Sequence, residues 1–433
     1  MFNLSMQKNG FLEELRWRNM LQDFTPGLEE YLAGGIRTAY IGFDPTAKSL
    51  GLGNYVQIML LSFFQRAGHQ PVVVMGGATG RIGDPSGKDK ERELKSYQEL
   101  DDNIQFQVAQ LKQLLNFDEG PNKAILVNNF DFYKSMNVLD FLRDVGKHTT
   151  INYMLSKESV KKRLETGISY TEFSYQLLQA YDFYCLYQMH NCRIQMGGSD
   201  QWGNITAGTE YIGKVIADSK AYAVTTPLLT KSDGKKFGKT ESGNIFLDPS
   251  LTSPYKFYQF WINSDDADLS KLFRYFSLKS QKEIEELELE HASDLRNLKK
   301  ILAEEITLRV HNKKAFHAAM EVSELLFNKD CTTDFLFSLE EETYQQLKAE
   351  LPNFAIARDQ LNSNKNIISI LSEHTSILNS KSEARRAIQG NAIAINKKKI
   401  TDVEEILDEN DLIYGKYLMI DNGKKNKYLI EIQ

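Results

Sequence analysis

Residues 38–75 read TAYIGFDPTAKSLGLGNYVQIMLLSFFQRAGHQPVVVM, and this stretch decides the fold. Its hydrophobic period changes twice along the chain. Residues 38–43 form an apolar run of strand length, residues 55–65 carry apolar side chains at helical spacing, and residues 71–75 form a second, β-branched run. Because a strand, a helix and a strand follow one another, the stretch predicts a right-handed β-α-β unit at the start of a parallel sheet.

Strand-length runs at 124–127, 193–196 and 221–225 alternate with helical patterns and extend this α/β pattern to about residue 230. Long helical patterns follow, and a segment of mixed polarity around Pro352 precedes a last, small region. The sequence therefore predicts a Rossmann-like, doubly wound parallel sheet, then an α-helical domain and a small α+β domain. The predicted boundaries are 1–230 for the sheet domain, 231–330 for a mobile lysine-rich loop with the helical domain, 331–366 for a linker and 367–433 for the last domain.

The composition is that of an ordinary globular protein. Hydrophobic residues make up 42% of the 433 residues and charged residues 25%, which excludes a disordered or collagen-like chain. Lys and Arg number 52 against 58 Asp and Glu, so the net charge gives no argument for a nucleic-acid partner. Such a partner has to be argued from local patches of charge.

The three cysteines, Cys185, Cys192 and Cys331, form no Cys-x-x-Cys pair and have no histidine at zinc spacing. They predict neither a disulfide framework nor a structural metal, and they fit a reducing compartment. The N-terminus has no continuous apolar segment, and no later stretch reaches the roughly 18 apolar residues of a membrane span. We therefore expect a cytoplasmic protein without a membrane partner.

Three segments are candidates for phosphate binding. Residues 44–46 end the first strand ahead of a helix N-terminus, where parallel sheets bind ligands and free N–H groups attract anions. Residues 76–88, GGATGRIGDPSGK, resemble a dinucleotide fingerprint, but Asp84 and Pro85 interrupt its helix and no P-loop ending follows, so nicotinamide binding is a minor alternative. Residues 231–240, KSDGKKFGKT, offer lysines that can follow a moving phosphate charge, although most such loops are only solvated.

A polar stripe interrupts an otherwise apolar helix predicted for residues 172–188. Tyr175, Gln179 and Asp182 fall at positions i, i+4 and i+7 and therefore share one face. An amphipathic helix with a solvated side is the commoner explanation, but the aromatic neighbours leave little solvated surface here. The stripe suits a small polar ligand with an aromatic body. Residues 197–204, GGSDQWGN, follow a strand at the same sheet edge and offer further hydrogen-bonding groups, unless they only cap a helix.

Together these motifs resemble bacterial-type tyrosyl-tRNA synthetases, in the family's order and over nearly the whole chain. The resemblance is carried by YIGFDPTA at 40–47, GGATG and GDPSGK within 76–88, the stripe at 175–182, GSDQWGN at 198–204 and KFGKT at 236–240. It implies a class I aminoacyl-tRNA synthetase that activates tyrosine with ATP, releases pyrophosphate and transfers the tyrosyl group to the 3′-terminal ribose of tRNA. A homodimer and Mg²⁺ that arrives with ATP are implied as well.

The resemblance also implies roles for individual residues, with the substrate phenol held between Tyr40 and Asp182. The residues expected to bind tyrosine are Tyr40, Thr79, Asp84, Tyr175, Gln179, Asp182 and Gln201. Those expected to bind ATP are Gly42, Asp44, Gly51, Gly53, Asn54, Gly198, Asp200 and Lys239. Those expected to engage the triphosphate during catalysis are Thr46, Lys88, Arg92, Lys236, Lys239 and Thr240.

The end of the chain resembles an S4 RNA-binding domain, mainly through SKSEARRAIQGN at 380–391. Residues 381–399 hold six Lys or Arg against one Glu, whereas residues 402–411 hold six acidic residues. This segregation of charge suits contact with phosphates, although a solvated helix face would look the same. The residues expected to bind tRNA are Lys381, Arg385, Arg386 and Lys397.

The chain departs from the family at one motif. Where class I synthetases carry a His-Ile-Gly-His type sequence, it has Gly51, Leu52, Gly53 and Asn54. Asn54 still offers a donor, but Gly51 lacks a side chain expected to stabilise the leaving phosphates, and one preorganised donor is worth about 10²–10³ in rate. Two hypotheses stay open at this point: an active ligase in which another group compensates, or a catalytically weakened paralogue kept as an RNA-binding or regulatory protein.

Overall fold

The computed structural model describes residues 10–86, 91–164, 167–240, 243–328, 330–423 and 426–433. The chain divides into two compact units. One is formed by residues up to 252 together with 261–310, and the other by residues 253–260 together with 311–433. Among the described residues, none of the helices combines the length and the apolar character that crossing a bilayer requires.

The first unit is organised around a six-stranded sheet. Its strands are β1 (Asp23–Phe24), β2 (Thr38–Phe43), β3 (Gln70–Met75), β4 (Ile125–Asn128), β5 (Ile194–Gly198) and β6 (Tyr222–Thr226). They lie in the order β1-β6-β5-β2-β3-β4, and only the β1–β6 pair is antiparallel. The direction of strand succession reverses between β2 and β5, so the predicted doubly wound sheet is confirmed.

The central strands are apolar because both of their faces are covered. β5 and β6 are buried at every position, and β3 is buried at every position after its first. Continuous apolar runs, without alternation, are typical of parallel strands with helices on both sides. The five strands predicted from sequence all form, each shifted by no more than two residues from its expected ends.

Helices cover this sheet and continue beyond it. Those of the first 310 residues are α1 (Phe11–Trp17), α2 (Leu28–Ala33), α3 (Leu52–Arg66), α4 (Tyr97–Leu114), α5 (Phe130–Tyr133), α6 (Val138–Asp140), α7 (Ile151–Ser156), α8 (Glu158–Leu164), α9 (Tyr170–His190), α10 (Trp202–Val215), α11 (Pro254–Ile262), α12 (Asp266–Phe276), α13 (Gln281–Glu290) and α14 (Leu295–Val310). A short antiparallel pair, β7 (Lys239–Thr240) and β8 (Gly243–Asn244), follows the lysine-rich segment.

Helix α3 is longer than its apolar pattern predicts. It begins at Leu52, three residues before the predicted start at Tyr55, and Gly51 is its N-cap residue. The chain leaves the helix through Gly68, whose φ of +91° lies in the left-handed region that favours glycine. The free N–H groups of the first turn therefore belong to the glycine-rich segment after β2.

Helices α12, α13 and α14 belong to the same compact unit as the sheet, whereas the sequence analysis placed them in a separate domain from residue 231. Three arginines hold these helices in the unit of the sheet, because they donate hydrogen bonds to backbone carbonyls at the end of α12. Arg18, which is 0% exposed, reaches the carbonyls of Arg274, Ser277 and Lys279 at 2.6–2.9 Å. Arg66 reaches Leu278 O and Arg309 reaches Phe276 O. These contacts join the N-terminal helices to α12 and α14.

The second unit contains a five-stranded sheet in the order β11-β10-β12-β13-β9. Its strands are β9 (Asn353–Ile356), β10 (Ile393–Ile395), β11 (Lys398–Lys399), β12 (Tyr417–Asn422) and β13 (Asn426–Ile432). Its helices are α15 (Lys313–Phe327), α16 (Thr333–Ser338), α17 (Glu341–Glu350), α18 (Arg358–Ser363), α19 (Ile367–Ser369) and α20 (Lys381–Gln389).

The segment 331–366, which the sequence predicts to be a linker, is instead part of this unit. Its strand β9 pairs in parallel with β13, and its helices α16 and α17 bury Leu336, Tyr344 and Leu347 in a common core. The mixed polarity of the segment arises because short amphipathic helices expose their charged side. The small domain at the end of the chain therefore begins before residue 367.

Candidate active site

A cavity of about 380 Å³ lies at the carboxyl ends of β2 and β5, where the strand succession reverses. Ligands bind at this point in open parallel sheets, and the volume is in the range of small-molecule sites. The polar and glycine residues that line it are Tyr40, Gly42, Asp44, Thr46, Gly53, Asn54, Gln57, Gly76, Thr79, Asp84, Arg92, Asn129, Tyr175, Gln179, Asp182, Gln195, Gly197, Gly198, Asp200 and Gln201. All seven residues predicted to bind tyrosine are among them.

Four buried polar atoms in the cavity wall have no hydrogen-bond partner among the described residues. They are the hydroxyl of Tyr40 and the side-chain Oε1 atoms of Gln57, Gln179 and Gln195. Buried polar groups are nearly always paired, because an unpaired one costs its full desolvation free energy. Four such atoms around one cavity indicate a ligand with several hydrogen-bonding groups.

Asp182 lies at one side of the cavity and is held by two donors. Tyr133 Oη donates to its Oδ1 at 2.7 Å, and Asn129 Nδ2 donates to its Oδ2 at 2.8 Å. Burial raises the pKa of Asp182 to about 7, although both donors oppose this rise by stabilising the carboxylate. Burial, and after it the negative charge of Asp182, raises the pKa of Tyr40 well above its ordinary value. The Tyr40 phenol therefore keeps its proton.

Asp44, at the end of β2, holds the residues around it in place. Its carboxylate accepts hydrogen bonds from Thr79 Oγ1 at 2.7 Å and from Tyr175 Oη at 2.9 Å. A Cβ atom on Gly76 would collide with this carboxylate, which explains the glycine after β3. Desolvation raises the pKa of Asp44. Two residues predicted to bind tyrosine, Thr79 and Tyr175, are thus joined to a residue predicted to bind ATP.

A second hydrogen-bonded group surrounds Asp84. Gln201 Nε2 donates to its Oδ2 at 2.8 Å, and Asn204 Nδ2 bonds both Ser86 Oγ, at 3.1 Å, and Gln201 Oε1, at 3.2 Å. Arg92 Nε donates to the backbone carbonyl of Asp84 at 3.2 Å. Asp84, Gln201 and Arg92 are predicted site residues, whereas no pattern in the sequence indicates a role for Ser86 or Asn204.

The N-terminus of α3 forms another part of the cavity wall. Gly53 and Asn54 line the cavity, whereas Gly51 does not. The N–H of Gly51 donates to Asn54 Oδ1 at 3.2 Å, and the residue pairs with Phe246 as an isolated β-bridge. Leu52 N also donates to Ile245 O, at 3.1 Å. The place of a family histidine is thus occupied by backbone that lies against residues 245–246.

The lysine-rich segment is anchored beside α3. Lys235, Lys236 and Lys239 are exposed, whereas Lys231 is half-buried. The backbone of Lys236 pairs with that of Thr230 as an isolated β-bridge. Gly238, whose φ is +79°, lies so close to Leu52 that a Cβ on the glycine would come within 2.9 Å of the Leu52 Cβ. Phe237 stacks on Phe276 at 5.3 Å between ring centroids. Lys236, Lys239 and Thr240 are not among the residues that line the cavity.

Electrostatics nevertheless connect this segment to the cavity. Desolvation and then the Asp84 carboxylate raise the pKa of Asp200 above its ordinary value, and the Lys236 ammonium opposes them. Lys236 is therefore close enough to act on a charge at the cavity mouth. Lys88, which the sequence analysis assigned to the triphosphate, lies outside the described residues.

The residues predicted to bind tRNA lie in the second unit. Arg385 and Arg386 are exposed on α20, and Lys381, at its first turn, is exposed and 2.9 Å from Glu373. Lys397 differs from this pattern, because its side chain is 12% exposed and pairs with Asp421 at 3.1 Å. It occupies the tight turn between β10 and β11, where its φ of +70° directs the chain back on itself. The exposed part of the patch is therefore smaller than the sequence predicts.

Comparison with known proteins first gives the class. Residues 35–328 match the family model described as tRNA synthetases class I (W and Y), and residues 343–430 match the tyrosine–tRNA ligase SYY-like C-terminal domain. The doubly wound sheet, with its cavity at the reversal of strand order, is the fold of that class, so the chain is a class I aminoacyl-tRNA synthetase.

Individual relatives give the family. A tyrosine–tRNA ligase of Cytophaga hutchinsonii is 53% identical over 97% of this chain and 99% of the relative, and one of Porphyromonas gingivalis is 50% identical over 98% and 100%. A C-terminally truncated mitochondrial tyrosyl-tRNA synthetase of Aspergillus nidulans superposes with a TM-score of 0.67 at 29% identity, over 74% of this chain and 95% of that one. The chain belongs to the tyrosine–tRNA ligase family.

Proposed function

We propose that the chain ligates tyrosine to tRNA, and that it activates tyrosine in the cavity between β2 and β5. The observation that carries the proposal is the unpaired, buried hydroxyl of Tyr40 in the same cavity wall as Asp182. A substrate phenol can accept a hydrogen bond from Tyr40 and donate one to the carboxylate. Phenylalanine would leave the Tyr40 hydroxyl buried and unpaired, and it would offer no donor to the Asp182 carboxylate, which would keep only Tyr133 and Asn129.

The substrate ammonium lies beside Gln179, Tyr175 and Asp84. Gln179 supports this placement, because its Oε1 is a buried acceptor without a partner among the described residues. Thr79 and Gln201 hold Asp44 and Asp84 in their present orientations through the hydrogen bonds described above. The amino group and the phenol are thus recognised by separate sets of residues, which fixes both ends of the substrate.

The first reaction step needs positioning and charge stabilisation and no general base. The tyrosine carboxylate is already ionised at neutral pH, so one of its oxygens attacks the α-phosphorus of ATP directly while the bond to pyrophosphate breaks. The N-terminus of α3 offers free N–H groups and the positive end of a helix dipole at Gly53 and Asn54. The triphosphate is engaged by Thr46, Lys88, Arg92, Lys236, Lys239 and Thr240. The nucleoside lies along Gly42, Asp44, Gly198 and Asp200, and Mg²⁺ enters as part of the ATP complex.

The second step transfers the activated tyrosyl group. A hydroxyl of the terminal ribose of tRNA attacks the tyrosyl carbonyl, an ester bond forms, and AMP leaves. We assign tRNA binding in the second unit to Lys381, Arg385 and Arg386, whose exposed side chains can neutralise phosphates. Lys397 contributes less, because its side chain is mostly buried and pairs with Asp421, a carboxylate that it shares with Lys427.

A homodimer that works in the cytoplasm is also part of the proposal. Four apolar side chains on and near α6 and α7 are exposed by 46–73%, namely Val138, Leu139, Leu142 and Ile151. A cluster of exposed apolar residues within so short a stretch is typical of an interaction surface.

Sedimentation equilibrium of the purified protein should give twice the monomer mass. A Leu139→Glu variant should shift the distribution to monomer, and a monomeric unaltered protein would contradict this part.

Tyrosine-dependent exchange of pyrophosphate into ATP tests the proposed function. We expect exchange with tyrosine and little with phenylalanine, and we expect Tyr40→Phe to lower kcat/KM for tyrosine by about tenfold, the value of one hydrogen bond. Equal exchange with the two amino acids would overturn the assignment of the phenol site. A protein that binds tyrosine and tRNA without any exchange would return the chain to the hypothesis of a weakened paralogue.

A further inference from the structure

Tyr133 contacts Asp182 in the cavity wall, and the proposed function gives Tyr133 no role. It lies at the end of α5, and its ring packs between Phe141, at 6.1 Å between centroids, and Tyr181, at 5.7 Å. Its hydroxyl is 2.7 Å from Asp182 Oδ1 and 2.9 Å from the carbonyl of Leu178. A phenol of the protein therefore contacts the same carboxylate that would recognise the phenol of the substrate.

The hydroxyl has one proton to share between these two acceptors. While Asp182 is ionised, the proton points to the carboxylate, because a hydrogen bond to a charged group is the stronger one. The other oxygen, Oδ2, is held by Asn129, whose own Oδ1 accepts from the backbone N–H of Ala78 at 2.7 Å. Both oxygens of Asp182 are thus fixed by protein donors, and each keeps a lone pair for a ligand.

We propose that Tyr133 is a positioning residue, which fixes the Asp182 carboxylate for the substrate phenol and thereby contributes to the choice of tyrosine over phenylalanine. The inference rests on the proposed function. Tyr133 itself does not touch the reacting atoms. It acts through Asp182, and its removal should affect only those substrates that use Asp182.

The pH dependence gives a readout that a purely structural role would not change. The titratable groups that face Asp182 or its hydrogen-bond partner Tyr133 are Tyr40, Asp44, Tyr133, Tyr175, Tyr181 and Cys185. Burial raises the pKa of each of these groups, and the phenols and the thiol therefore stay neutral around pH 7. The pKa of Asp182 is about 7, and the Tyr133 hydroxyl lowers it. Because the ionised carboxylate accepts a hydrogen bond from the substrate phenol, kcat/KM for tyrosine should rise with pH through about 7. Without the hydroxyl, this rise should occur at higher pH.

The test compares Tyr133→Phe with Tyr211→Phe in pyrophosphate exchange from pH 5.5 to 9, with tyrosine and with phenylalanine. Tyr211 is the matched control, because its hydroxyl is 3.5 Å from a backbone carbonyl, that of Asp144, and does not line the cavity. We expect Tyr133→Phe to lower kcat/KM for tyrosine by about tenfold, mainly through a higher KM, and to leave kcat/KM for phenylalanine unchanged. The acid limb of the pH profile for tyrosine should move to higher pH. The control should match the unaltered protein.

A double-mutant cycle separates action through Asp182 from general damage. In an Asp182→Asn background, the Tyr133→Phe change should no longer alter the ratio of tyrosine to phenylalanine. Equal losses with both amino acids, an unmoved acid limb or full additivity in the cycle would each overturn the inference. If the unaltered protein shows no tyrosine-dependent exchange, both the proposed function and the role of Tyr133 are contradicted. If the unaltered protein shows normal exchange and Tyr133→Phe behaves like it, only the role of Tyr133 is contradicted.

Discussion

Gly51 is the residue at which the active site departs from the expected class I pattern. Its backbone is extended, with φ of −101°, so any residue could adopt it, but a Cβ would stand 3.3 Å from Ile245 O. Without a side chain at this position, the first-turn N–H groups of α3 and the amide of Asn54 remain as donors at the cavity. These groups can stabilise the leaving phosphates in place of an imidazole.

We therefore expect Gly51→His to change the rate of tyrosine-dependent pyrophosphate exchange by less than tenfold. The physical reason is that Gly51 does not line the cavity, whereas Gly53 and Asn54 do, so an imidazole at position 51 adds little to their donors. Gly51→Ala is the control, since it adds the same Cβ without the imidazole. A rise of more than tenfold in the histidine variant alone would show that the missing side chain limits the enzyme.

Some residues of the site can be predicted from the sequence and others cannot. The stripe of Tyr175, Gln179 and Asp182 is visible in sequence because helical periodicity places its members on one face. Asn129 and Tyr133 are not visible in this way, because they meet Asp182 across 53 and 49 residues of chain. No local pattern encodes such contacts, and only the packing of α5 against α9 brings them together. The roles of the gathered residues remain predictions for the experiments above.

Among the elements, the lysine-rich segment depends most on packing with its neighbours. Phe237 stacks on Phe276 at 5.3 Å and contacts Trp261 at 5.9 Å, and Phe276 in turn stacks on Tyr55 of α3 at 5.4 Å. This aromatic cluster fixes one end of the segment that carries Lys236 and Lys239. The position of these lysines therefore depends on a residue that does not line the cavity.

Phe237→Ala should detach the segment without disturbing the tyrosine pocket. Two aromatic contacts of about 0.5–1.5 kcal/mol each are lost, so we expect kcat for pyrophosphate exchange to fall by about tenfold. Tyrosine affinity, measured by calorimetry, should stay within twofold. Phe237→Tyr keeps the ring and should behave like the unaltered protein. Weaker tyrosine binding in the alanine variant would contradict a local effect.

The end of α12 depends on a buried cation. Arg18 bonds Glu14 at 2.6 Å and three carbonyls, and although burial lowers its pKa to about 10, the guanidinium stays charged at neutral pH. Arg18→Ala should lower the free energy of unfolding by about 3–5 kcal/mol, because Glu14 and the helix end lose their partner. Arg16→Ala, two residues away in an exposed pair with Glu29, should cost less than about 1 kcal/mol. Similar midpoints of urea denaturation for both variants would refute this.

Elements differ in how well the sequence predicts them. The five predicted strands are placed within two residues of their ends, because each includes a short apolar run bounded by polar, proline or glycine residues. The segment 331–366 is misread as a linker because its helices are short and charged, and because β9 pairs with β13, about 75 residues further along the chain. Long-range pairing of a four-residue edge strand leaves no local signal.

At the scale of the whole molecule, the residues assigned to tyrosine and ATP and those assigned to tRNA lie in different compact units. The cavity and the lysine-rich segment belong entirely to the first unit, and the exposed basic residues of α20 belong to the second. Chemistry on tyrosine and ATP should therefore be separable from contact with tRNA phosphates. Substitutions in the second unit should leave the first reaction step unchanged.

Replacement of both Arg385 and Arg386 by alanine tests this division. We expect unchanged pyrophosphate exchange, a higher KM for tRNA in aminoacylation, and a salt dependence of tRNA binding that is shallower by about 1–2 in its logarithmic slope. Lys397→Ala should have the smaller effect, since Asp421 already pairs with that lysine. A loss of exchange in the double variant would show that the two activities are not independent.

The backbone contact at Gly51 has a further, evolutionary consequence. Leu52 N and Leu247 N both bond across to the opposite segment, at 3.1 and 2.9 Å, so the stretch 245–247 lies directly on the motif before α3. A histidine at position 51 needs that stretch to retreat by a few tenths of an ångström. The two sites should consequently covary between lineages: relatives with a bulky residue at 51 should carry compensating changes around 245, and a chimaera that exchanges one segment without the other should be the poorer enzyme.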